Sequence, residues 1–541
     1  MKRRLPLLLI IVIALALRLA GLGWGLPDQR KVLSYHPDEG VNLIQGALDH
    51  GIPRPHLKLG FYNYGSLYFY FWQVGNAVNQ TYNIVKLPQT GYPSNPSSDS
   101  PAAMILVGRL LSVLFGVVTV PIVYLLGKSL YDRSAGLFSA AAMALMPVAV
   151  VHSHYATVDN TAVFLVTCSL LFAATSMKQS SPKKMLKMLI ITGVFCGLAS
   201  AVKYNVAIVL LSPLAIILTS KENPAKKIVL TAICSLSALF AFALACPGIW
   251  LENDIFVRHF IYELRKSQAG MGLLFAGTGN GFWYHLHSSL RYGMGLPMLV
   301  AGIVGFGYAL YKRDRGVMLL MAFILPYYMM IGMAQVRFLR YVLPLMPVFS
   351  VFIGMLLSDC MKLSTWNIRV AVVKWSLVCL LTLLIDMALI QTLRTPDTRD
   401  LACDYLERTA RGSSIAFATT PWFYTPPLSQ GFTFPSPADR REAASSSGLY
   451  HFIMPAKDQE WELSVLASRP ERVVLSEFET MDALRVKLPA TLKFIWILRR
   501  DYKPVVFDKV PSYAGISLGK TSTPPDWLYP FPRITVWERM K

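Results

Sequence analysis

The sequence predicts an all-α polytopic membrane protein of about eleven transmembrane helices, with a small extracytoplasmic α/β domain at its C-terminal end. Two observations carry this prediction. Of the 541 residues, 54% are hydrophobic and only 15% are charged, so the chain holds more apolar side chain than a soluble domain can bury. In addition, several apolar runs reach about 20 residues, which is the length that crosses the hydrocarbon core of a bilayer.

The charges of the short loops between the predicted spans indicate their orientation. The spans lie near residues 5–25, 102–127, 134–152, 159–177, 187–202, 205–220, 228–247, 291–311, 316–334, 339–358 and 370–391. The loops rich in Lys and Arg are 128–133, 178–187, 221–227, 312–315 and 359–369. With the basic N-terminus inside, all five loops fall on the cytoplasmic side, as the positive-inside rule requires, and the C-terminus is external. The first apolar run could also begin a cleaved signal peptide, but its length favours a span.

The formal net charge of +21 does not indicate a nucleic-acid partner. The cations are spread over short loops and tails, without a basic folded domain that presents them. Cytoplasmic loops in contact with anionic lipid headgroups explain most of the charge, so membrane lipids are the expected partners. No CxxC pair or His/Cys zinc spacing is present among the seven cysteines.

Two regions are predicted from the change in hydropathy. Residues 1–393 form the transmembrane module, with long external loops at 27–101 and 247–290. Residues 394–541 form the extracytoplasmic domain, because hydrophobicity falls there and short β-like runs begin. These runs are 414–418, 472–475, 494–498 and 534–537.

Two adjacent acids, Asp38 and Glu39, follow the first span in the motif HPDEG, where Pro37 sets an extended entry into a helix. A charged side chain near a bilayer costs free energy, so the position of these acids at the outer end of a span indicates a functional site. The alternative is that they are ordinary N-terminal acids stabilised by a helix dipole. The residues alone do not separate the two interpretations.

A second external acid, Asp159, lies in the short turn between the third and fourth spans, close to His152 and His154. A plain helix cap is the alternative to a functional role. Together, the acid sites on the first two external loops could share proton acceptance and a divalent metal. Asp159 and His285 are the candidate metal ligands, and an interfacial hydrogen bond is the alternative for His285.

Several cations lie where the positive-inside rule disfavours them. Arg109 is about seven residues into the second span, so we expect it to pair with an acid or an anionic ligand. Lys203, Arg337 and Arg340 lie at external ends of spans. A phosphate headgroup would explain them, since arginine offers a bidentate fork, while snorkelling to the interface is the alternative. Together with Tyr341 and His285, these cations are the predicted substrate-binding residues.

The motifs together resemble the GT-C superfamily of glycosyltransferases that use lipid-linked sugars, and within it the protein O-mannosyltransferase and aminoarabinose (lipid A) transferase families. The resemblance rests on HPDEG (36–40), GRLLSVLFG (108–116), SHYATVDNT (153–161), GLASAVKY (197–204) and RYVLPLMP (340–347), and it covers about residues 5–360. It implies a GT-C type helical fold with an active site at the external face of the plasma (inner) membrane. It also implies that Asp38 is the base or acceptor-binding acid, with Glu39 its neighbour, Arg109 a partner of that acidic site and Asp159 near the acceptor or a metal.

The predicted reaction moves a sugar from a polyprenyl-phosphate donor to an acceptor hydroxyl of a protein, lipid or glycan. Asp38 accepts the proton of that hydroxyl, and a single displacement inverts the anomeric carbon. A transporter or flippase of lipid-linked sugars and a non-catalytic envelope-assembly protein are the alternatives. A transporter would place its acids at mid-membrane, often in two related halves, whereas the candidate acids here cluster at one face. Among enzymes, an oligosaccharyltransferase is the nearest alternative, although its WWDYG-type signature is missing.

Overall fold

Helices make up most of the first 409 residues of the computed structural model, which describes residues 4–42, 56–85, 100–363, 365–446, 448–456, 460–520 and 523–540. The helices up to residue 394 are α1 (Leu5–Leu19), α2 (Pro37–Asn42), α3 (Leu67–Tyr82), α4 (Pro101–Leu130), α5 (Arg133–Ala144), α6 (Pro147–Val151), α7 (Asp159–Ser176), α8 (Pro182–Ser200), α9 (Leu211–Leu218), α10 (Pro224–Ala245), α11 (Gly248–Leu251), α12 (Asn253–Ala269), α13 (Gly281–Tyr284), α14 (Arg291–Met294), α15 (Leu296–Lys312), α16 (Arg315–Met333), α17 (Met346–Leu363) and α18 (Thr365–Arg394).

The polytopic membrane fold is confirmed by the length and composition of these helices. Six helical stretches of the described residues are long and apolar enough to cross a membrane, and two bent pairs raise the number to eight. Leu5–Leu19 and Tyr204–Leu218 are shorter apolar helices. The total of eleven spans stays a prediction, although each predicted span falls on helical backbone.

Helix ends near the candidate site are fixed by local caps. The hydroxyl of Ser100 accepts a hydrogen bond from the Ala103 amide at 3.1 Å, and Pro101 occupies the first turn of α4, where no amide partner is lost. The chain that begins with α5 is bent by 59° before α6, where Pro147 starts a new helix. This bend leads into the turn His152–His154, which directly precedes α7.

Small residues bring the helices that carry the site close together. A Cβ atom at Gly193 or Gly197 of α8 would collide with backbone carbonyl oxygens of α10. Glycine therefore permits the close helix contact, as is common where helices pack in lipid. The close contact helps to fix the end of α8, after which the chain continues to Lys203.

The region after residue 394 contains a mixed five-stranded sheet and further helices. The helices are α19 (Thr398–Thr409), α20 (Pro437–Ser445), α21 (Ser464–Ala467), α22 (Glu477–Arg485) and α23 (Pro489–Asp501). The strands are β1 (Ser414–Phe417), β2 (His451–Ile453), β3 (Arg472–Ser476), β4 (Tyr502–Phe507), β5 (Ser512–Tyr513), β6 (Ile516–Ser517) and β7 (Ile534–Arg539). The strand order of the main sheet is β2-β1-β3-β7-β4; β1 is parallel to β2 and β3, and β7 is antiparallel to β3 and β4.

Three of the four predicted β-like runs coincide with β1, β3 and β7, but the fourth prediction is wrong. Residues 494–498 lie inside the helix Pro489–Asp501. Its buried side chains, Thr491, Phe494 and Leu498, are three and four residues apart, which is the spacing of one helix face. A short apolar run does not separate a strand from a buried helix by itself.

The region after residue 394 contacts the first external loop directly. The indole of Trp24 donates a hydrogen bond to Asp397 at 3.1 Å, and Arg30 forms an ion pair with Asp404 at 2.7 Å. The phenol of Tyr35 donates to Asp400 at 2.5 Å. A division of the chain at 393/394 stays a prediction, but the two parts meet through charged and aromatic side chains.

Candidate active site

The HPDEG motif begins the short helix Pro37–Asn42, and Asp38 lies in its first turn. The carboxylate of Asp38 forms an ion pair with the Nη2 atom of Arg340 at 3.0 Å. The side chain of Asp38 is 25% exposed, whereas that of Arg340 is 6% exposed. Asp38 is therefore a partly accessible carboxylate held by a buried guanidinium.

Glu39, the next residue, is completely enclosed. Its two oxygens accept hydrogen bonds from Nε and Nη2 of Arg109, both at 2.8 Å. The hydroxyl of Ser34 donates at 2.5 Å and the amide of Ala156 at 2.7 Å. Both Glu39 and Arg109 have 0% exposed side chains. This bidentate pair ties the first loop to α4 and to the turn before α7.

The surroundings of Glu39 favour a structural role over the predicted catalytic one. Burial raises the pKa of Glu39, but the ion pair with Arg109 outweighs it, so the pKa lies below its ordinary value. Four donors already occupy its two oxygens, which leaves no place for a substrate proton. The remaining nitrogen of Arg109 donates to the carbonyls of Leu22 and Trp24, at 2.6 and 2.7 Å.

Asp159 begins α7 and forms a buried ion pair with Lys203, at 2.6 Å between Oδ1 and Nζ. The two side chains are 4% and 7% exposed. The ammonium of Lys203 also lies 5.3 Å from the centre of the Tyr341 ring. The cluster thus brings together Asp159, Lys203 and Tyr341, which are separated in sequence by up to 182 positions.

Arg340 has a second acidic neighbour, Asp526, which sequence reasoning missed. The oxygens of Asp526 accept hydrogen bonds from the amides of Leu339 and Arg340 at 2.8 and 3.1 Å. One oxygen lies 3.7 Å from Nη1 of Arg340. The guanidinium rests 3.9 Å from the centre of the Phe338 ring. The only sequence signal is the aromatic and proline-rich run PPDWLYPF at 524–531.

Buried polar atoms without a hydrogen-bond partner in the described part of the chain surround these ion pairs. They include both ring nitrogens of His36, both amide atoms of Asn42, Nδ1 of His152, the Tyr155 hydroxyl and Nη1 of Arg340. The His36 ring lies 4.3 Å from the ring of Tyr155 and 4.8 Å from that of Tyr529. Burial lowers the pKa of His36 to about 3, with Glu39 opposing, so this imidazole is neutral at physiological pH.

Arg337 forms hydrogen bonds away from the ion pairs described above. Arg337 donates to the carbonyl of Ala334 at 3.2 Å, to the hydroxyl of Thr278 at 2.8 Å and to the carbonyl of Gly279 at 2.7 Å. The predicted role of Arg337 in substrate binding is therefore not supported by its contacts, which anchor the loop before α13. A guanidinium with three backbone or hydroxyl acceptors is a structural clamp.

The predicted metal ligands do not fit a divalent ion in their present surroundings. The ring nitrogens of His285 lie 2.9 Å from the Ser289 hydroxyl and 3.2 Å from the carbonyl of Ile331. Asp159 is already paired with Lys203. Across the described ranges, no group of three His, Cys, Asp or Glu side chains could hold a metal. The metal role of Asp159 and His285 stays a prediction that their contacts do not support.

Known proteins resemble this chain in one sequence segment and in the overall fold. Residues 85–262 match the family of dolichyl-phosphate-mannose-protein mannosyltransferases. The fold is similar to ArnT from Cupriavidus metallidurans bound to undecaprenyl phosphate (TM-score 0.51, 14% identity, 74% of this chain and 72% of that chain). It is also similar to the Archaeoglobus fulgidus oligosaccharyltransferase in its apo form (0.52, 12%, 96% and 75%) and tethered to an acceptor peptide (0.50, 11%, 97% and 74%).

No curated protein sequence matches this chain. The likeness to the solved structures, at 11 to 14% identity, establishes the fold, and the family match covers the segment that carries Arg109, Asp159 and Lys203. The superfamily predicted from the sequence motifs is confirmed. The fold and the family segment agree with the GT-C superfamily of membrane glycosyltransferases that the motifs predict.

Proposed function

We propose that the chain transfers a sugar from a polyprenyl-phosphate donor to an acceptor hydroxyl at the extracytoplasmic face, with Asp38 as the base. The observation that carries the proposal is the contrast between the two adjacent acids. Asp38 keeps a partly exposed carboxylate beside the Arg340 guanidinium, while every oxygen of Glu39 is engaged. A base must reach the proton that it accepts, and of these two acids only Asp38 can.

The donor phosphate is assigned to the cations Arg340 and Lys203. ArnT from Cupriavidus metallidurans binds undecaprenyl phosphate, and the matched family is named for dolichyl-phosphate mannose, so a polyprenyl phosphate is the donor class that these similarities favour. Both cations are buried and paired with acids before a donor arrives. The acids keep the cations charged and oriented, and a phosphate can then share or replace them.

The reaction is a single displacement. The acceptor O–H gives its proton to a carboxylate oxygen of Asp38 while its oxygen attacks the anomeric carbon. The bond from that carbon to the phosphate oxygen breaks, and the electron pair leaves with the lipid phosphate. Arg340 and Lys203 stabilise the negative charge that grows on the leaving phosphate. One displacement inverts the configuration of the anomeric carbon.

The extracytoplasmic location of this site is supported by the charge distribution. The basic loops 128–133, 178–187, 221–227, 312–315 and 359–369 lie at the ends of helices opposite to the HPDEG motif in the predicted topology. The acceptor is a hydroxyl of a protein, lipid or glycan, and the membrane is proposed to be the plasma membrane.

The proposal is tested in cells that lack the protein and are complemented with the wild-type chain or with Asp38→Asn. Mass spectrometry of envelope proteins, lipids and glycans should show one species that loses the mass of a single hexose or pentose in the null cells. Wild type should restore that species and Asp38→Asn should not, at equal amounts of folded membrane protein. Restoration by Asp38→Asn would remove the assignment of the base. An unchanged sugar complement, with lipid-linked sugars retained on the cytoplasmic side, would favour a flippase instead.

A further inference from the structure

The C-terminal region reaches the candidate active site through one short segment, residues 524–529. Asp526 lies in the 3-10 turn Pro525–Trp527 and is 1% exposed. Its partners, Leu339 and Arg340, begin the 3-10 helix Leu339–Leu345, about 190 positions earlier in the chain. A buried carboxylate needs donors to remain stable, and this one finds two of them in the helix that carries Arg340.

The two hydrogen bonds fix the backbone that presents Arg340. The first amides of a helix have no partner within it, so the carboxylate of Asp526 satisfies two of them with charge-assisted hydrogen bonds. The side chain is then confined on three sides. Phe338 lies beneath the guanidinium at 3.9 Å, Asp38 is 3.0 Å from Nη2, and Asp526 is 3.7 Å from Nη1.

The same segment also covers the neighbouring residue of the motif. The ring of Tyr529 lies 4.8 Å from that of His36, which precedes Asp38 by two positions and has 0% exposure. Tyr529 is itself held by Phe423 and Phe478, with ring centres at 5.5 and 5.7 Å. Its backbone carbonyl accepts a hydrogen bond from Arg399 at 2.7 Å. The segment is therefore supported by the C-terminal region and faces the site with Asp526 and Tyr529.

We infer that residues 524–529 form one wall of the active site and that Asp526 is a positioning residue, which holds Arg340 toward Asp38. The inference rests on the proposed role of Arg340 as a ligand of the donor phosphate. Asp526 takes no proton from the acceptor and touches no reacting atom. It shares Arg340 with Asp38, so it sets the direction of the guanidinium and competes with a phosphate for Nη1.

This arrangement predicts opposite effects on transfer and on lipid binding when the carboxylate is removed. In Asp526→Asn the amide oxygen can still accept one backbone hydrogen bond, but the negative charge beside Nη1 is gone. Undecaprenyl phosphate should bind more tightly, by about threefold or more, because a competing anion is lost. Transfer should fall by about tenfold or more for two reasons. Asp526 no longer directs the Arg340 guanidinium toward Asp38 during the reaction, and the more tightly bound lipid phosphate is released more slowly.

The experiment compares the full-length chain carrying Asp526→Asn with Asp501→Asn as a matched control. Asp501 is an exposed aspartate of the same region, paired with Arg500. Binding of undecaprenyl phosphate is measured on protein purified in lipid nanodiscs, and transfer is measured by complementation of null cells, per folded molecule. Asp501→Asn should leave both quantities unchanged.

Wild-type transfer by Asp526→Asn would overturn the inference. Reduced transfer with unchanged or weaker lipid binding would also overturn it, because a purely structural contact gives that result. If Asp526→Asn does not fold, Tyr529→Leu tests the same wall, and an undiminished transfer by that variant would be decisive against it. An Arg340→Gln variant distinguishes failure of the proposed function from failure of the Asp526 inference. Wild-type transfer by Arg340→Gln would remove the proposed function. Loss of transfer in Arg340→Gln, together with wild-type transfer by Asp526→Asn, would remove only the role of Asp526.

Discussion

Asp38 and Glu39 are neighbours in the chain, and each forms an ion pair with an arginine, but the two pairs have opposite surroundings. The Glu39–Arg109 pair is closed on all sides, with two further donors on the carboxylate. The Asp38–Arg340 pair leaves a quarter of the aspartate side chain exposed and lies among buried polar atoms that have no hydrogen-bond partner among the described residues. A short helix places its successive side chains about 100° apart, so one acid can face the bundle and the next the site. From this difference we infer that one pair serves stability and the other serves chemistry.

The largest effect is expected from Asp38→Asn. Removing the base should lower transfer by about 10³-fold, while the folded amount changes little because the side chain is partly solvated. The measurement is the restored sugar-modified species in complemented null cells. Asp28→Asn is the control, since Asp28 belongs to the same loop and pairs with Lys31. Wild-type transfer by Asp38→Asn would end the contrast between the two acids.

The next largest effect is expected when the buried Glu39–Arg109 ion pair is broken. Arg109→Met leaves the Glu39 carboxylate buried without its cation and should cost about 3–5 kcal/mol of stability. The double variant Arg109→Met with Glu39→Met should recover part of that loss, because both charges are then removed. Thermal unfolding of the purified chain measures both. As a control, Arg30→Met breaks a pair with Asp404 at a one-third exposed site and should cost less than about 1 kcal/mol. An equal cost for both single variants would contradict the assignment.

A third variant tests whether the second buried pair serves the donor. Lys203→Met with Asp159→Asn removes both charges together, so that no buried charge is left alone. Binding of undecaprenyl phosphate in nanodiscs should weaken by about tenfold, because one phosphate-binding cation is lost. The control pair is Lys226→Met with Glu222→Gln, an ion pair about one-third exposed at the N-terminal end of α10. Equal affinities in the two double variants would remove Lys203 from the phosphate site.

The smallest effect concerns the pH dependence of the C-terminal region. Burial raises the pKa of Glu479 to about 7, although the Thr419 hydroxyl and the Ser476 amide oppose the shift by donating to it. The folded pKa thus lies above the unfolded value, so stability is full in acid and is lost as pH rises from about 4.5 through 7. Glu479→Gln should remove that loss, stabilising the region by about 1–3 kcal/mol at pH 8 and less at pH 5.

Hydrogen exchange of α22 and β1 in the intact chain measures this local stability at the two pH values. Glu442→Gln on the exposed face of α20 is the control and should show no pH-dependent difference. If Glu479→Gln exchanges faster than wild type at pH 8, the carboxyl group is stabilising in its charged form and the sign of the prediction is wrong.

Much of the fold was predictable because lipid imposes a simple pattern. Long apolar runs and basic loops predict the helices. Acids and cations at unusual positions, such as Asp38, Arg109 and Lys203, indicate functional or paired residues, because a charge near a bilayer costs free energy. The partner of each charge was less accessible to sequence reasoning, because pairing depends on helix packing. The contact of Asp526 with Arg340 spans 186 positions and has no local periodicity. His285 and Arg337 are residue types that suit ligand binding, yet their side chains already form hydrogen bonds with neighbouring hydroxyl and carbonyl groups.

We propose that Asp38, the first of the two adjacent acids, does chemistry and that Glu39, the second, holds the structure. The rate of sugar transfer per folded molecule for Asp38→Asn and Glu39→Gln, measured side by side in complemented null cells, tests both roles together. We expect Asp38→Asn to be well folded and inactive, whereas Glu39→Gln should be poorly folded but active in the molecules that do fold. Activity in folded Asp38→Asn, or well-folded and inactive Glu39→Gln, would contradict this proposal.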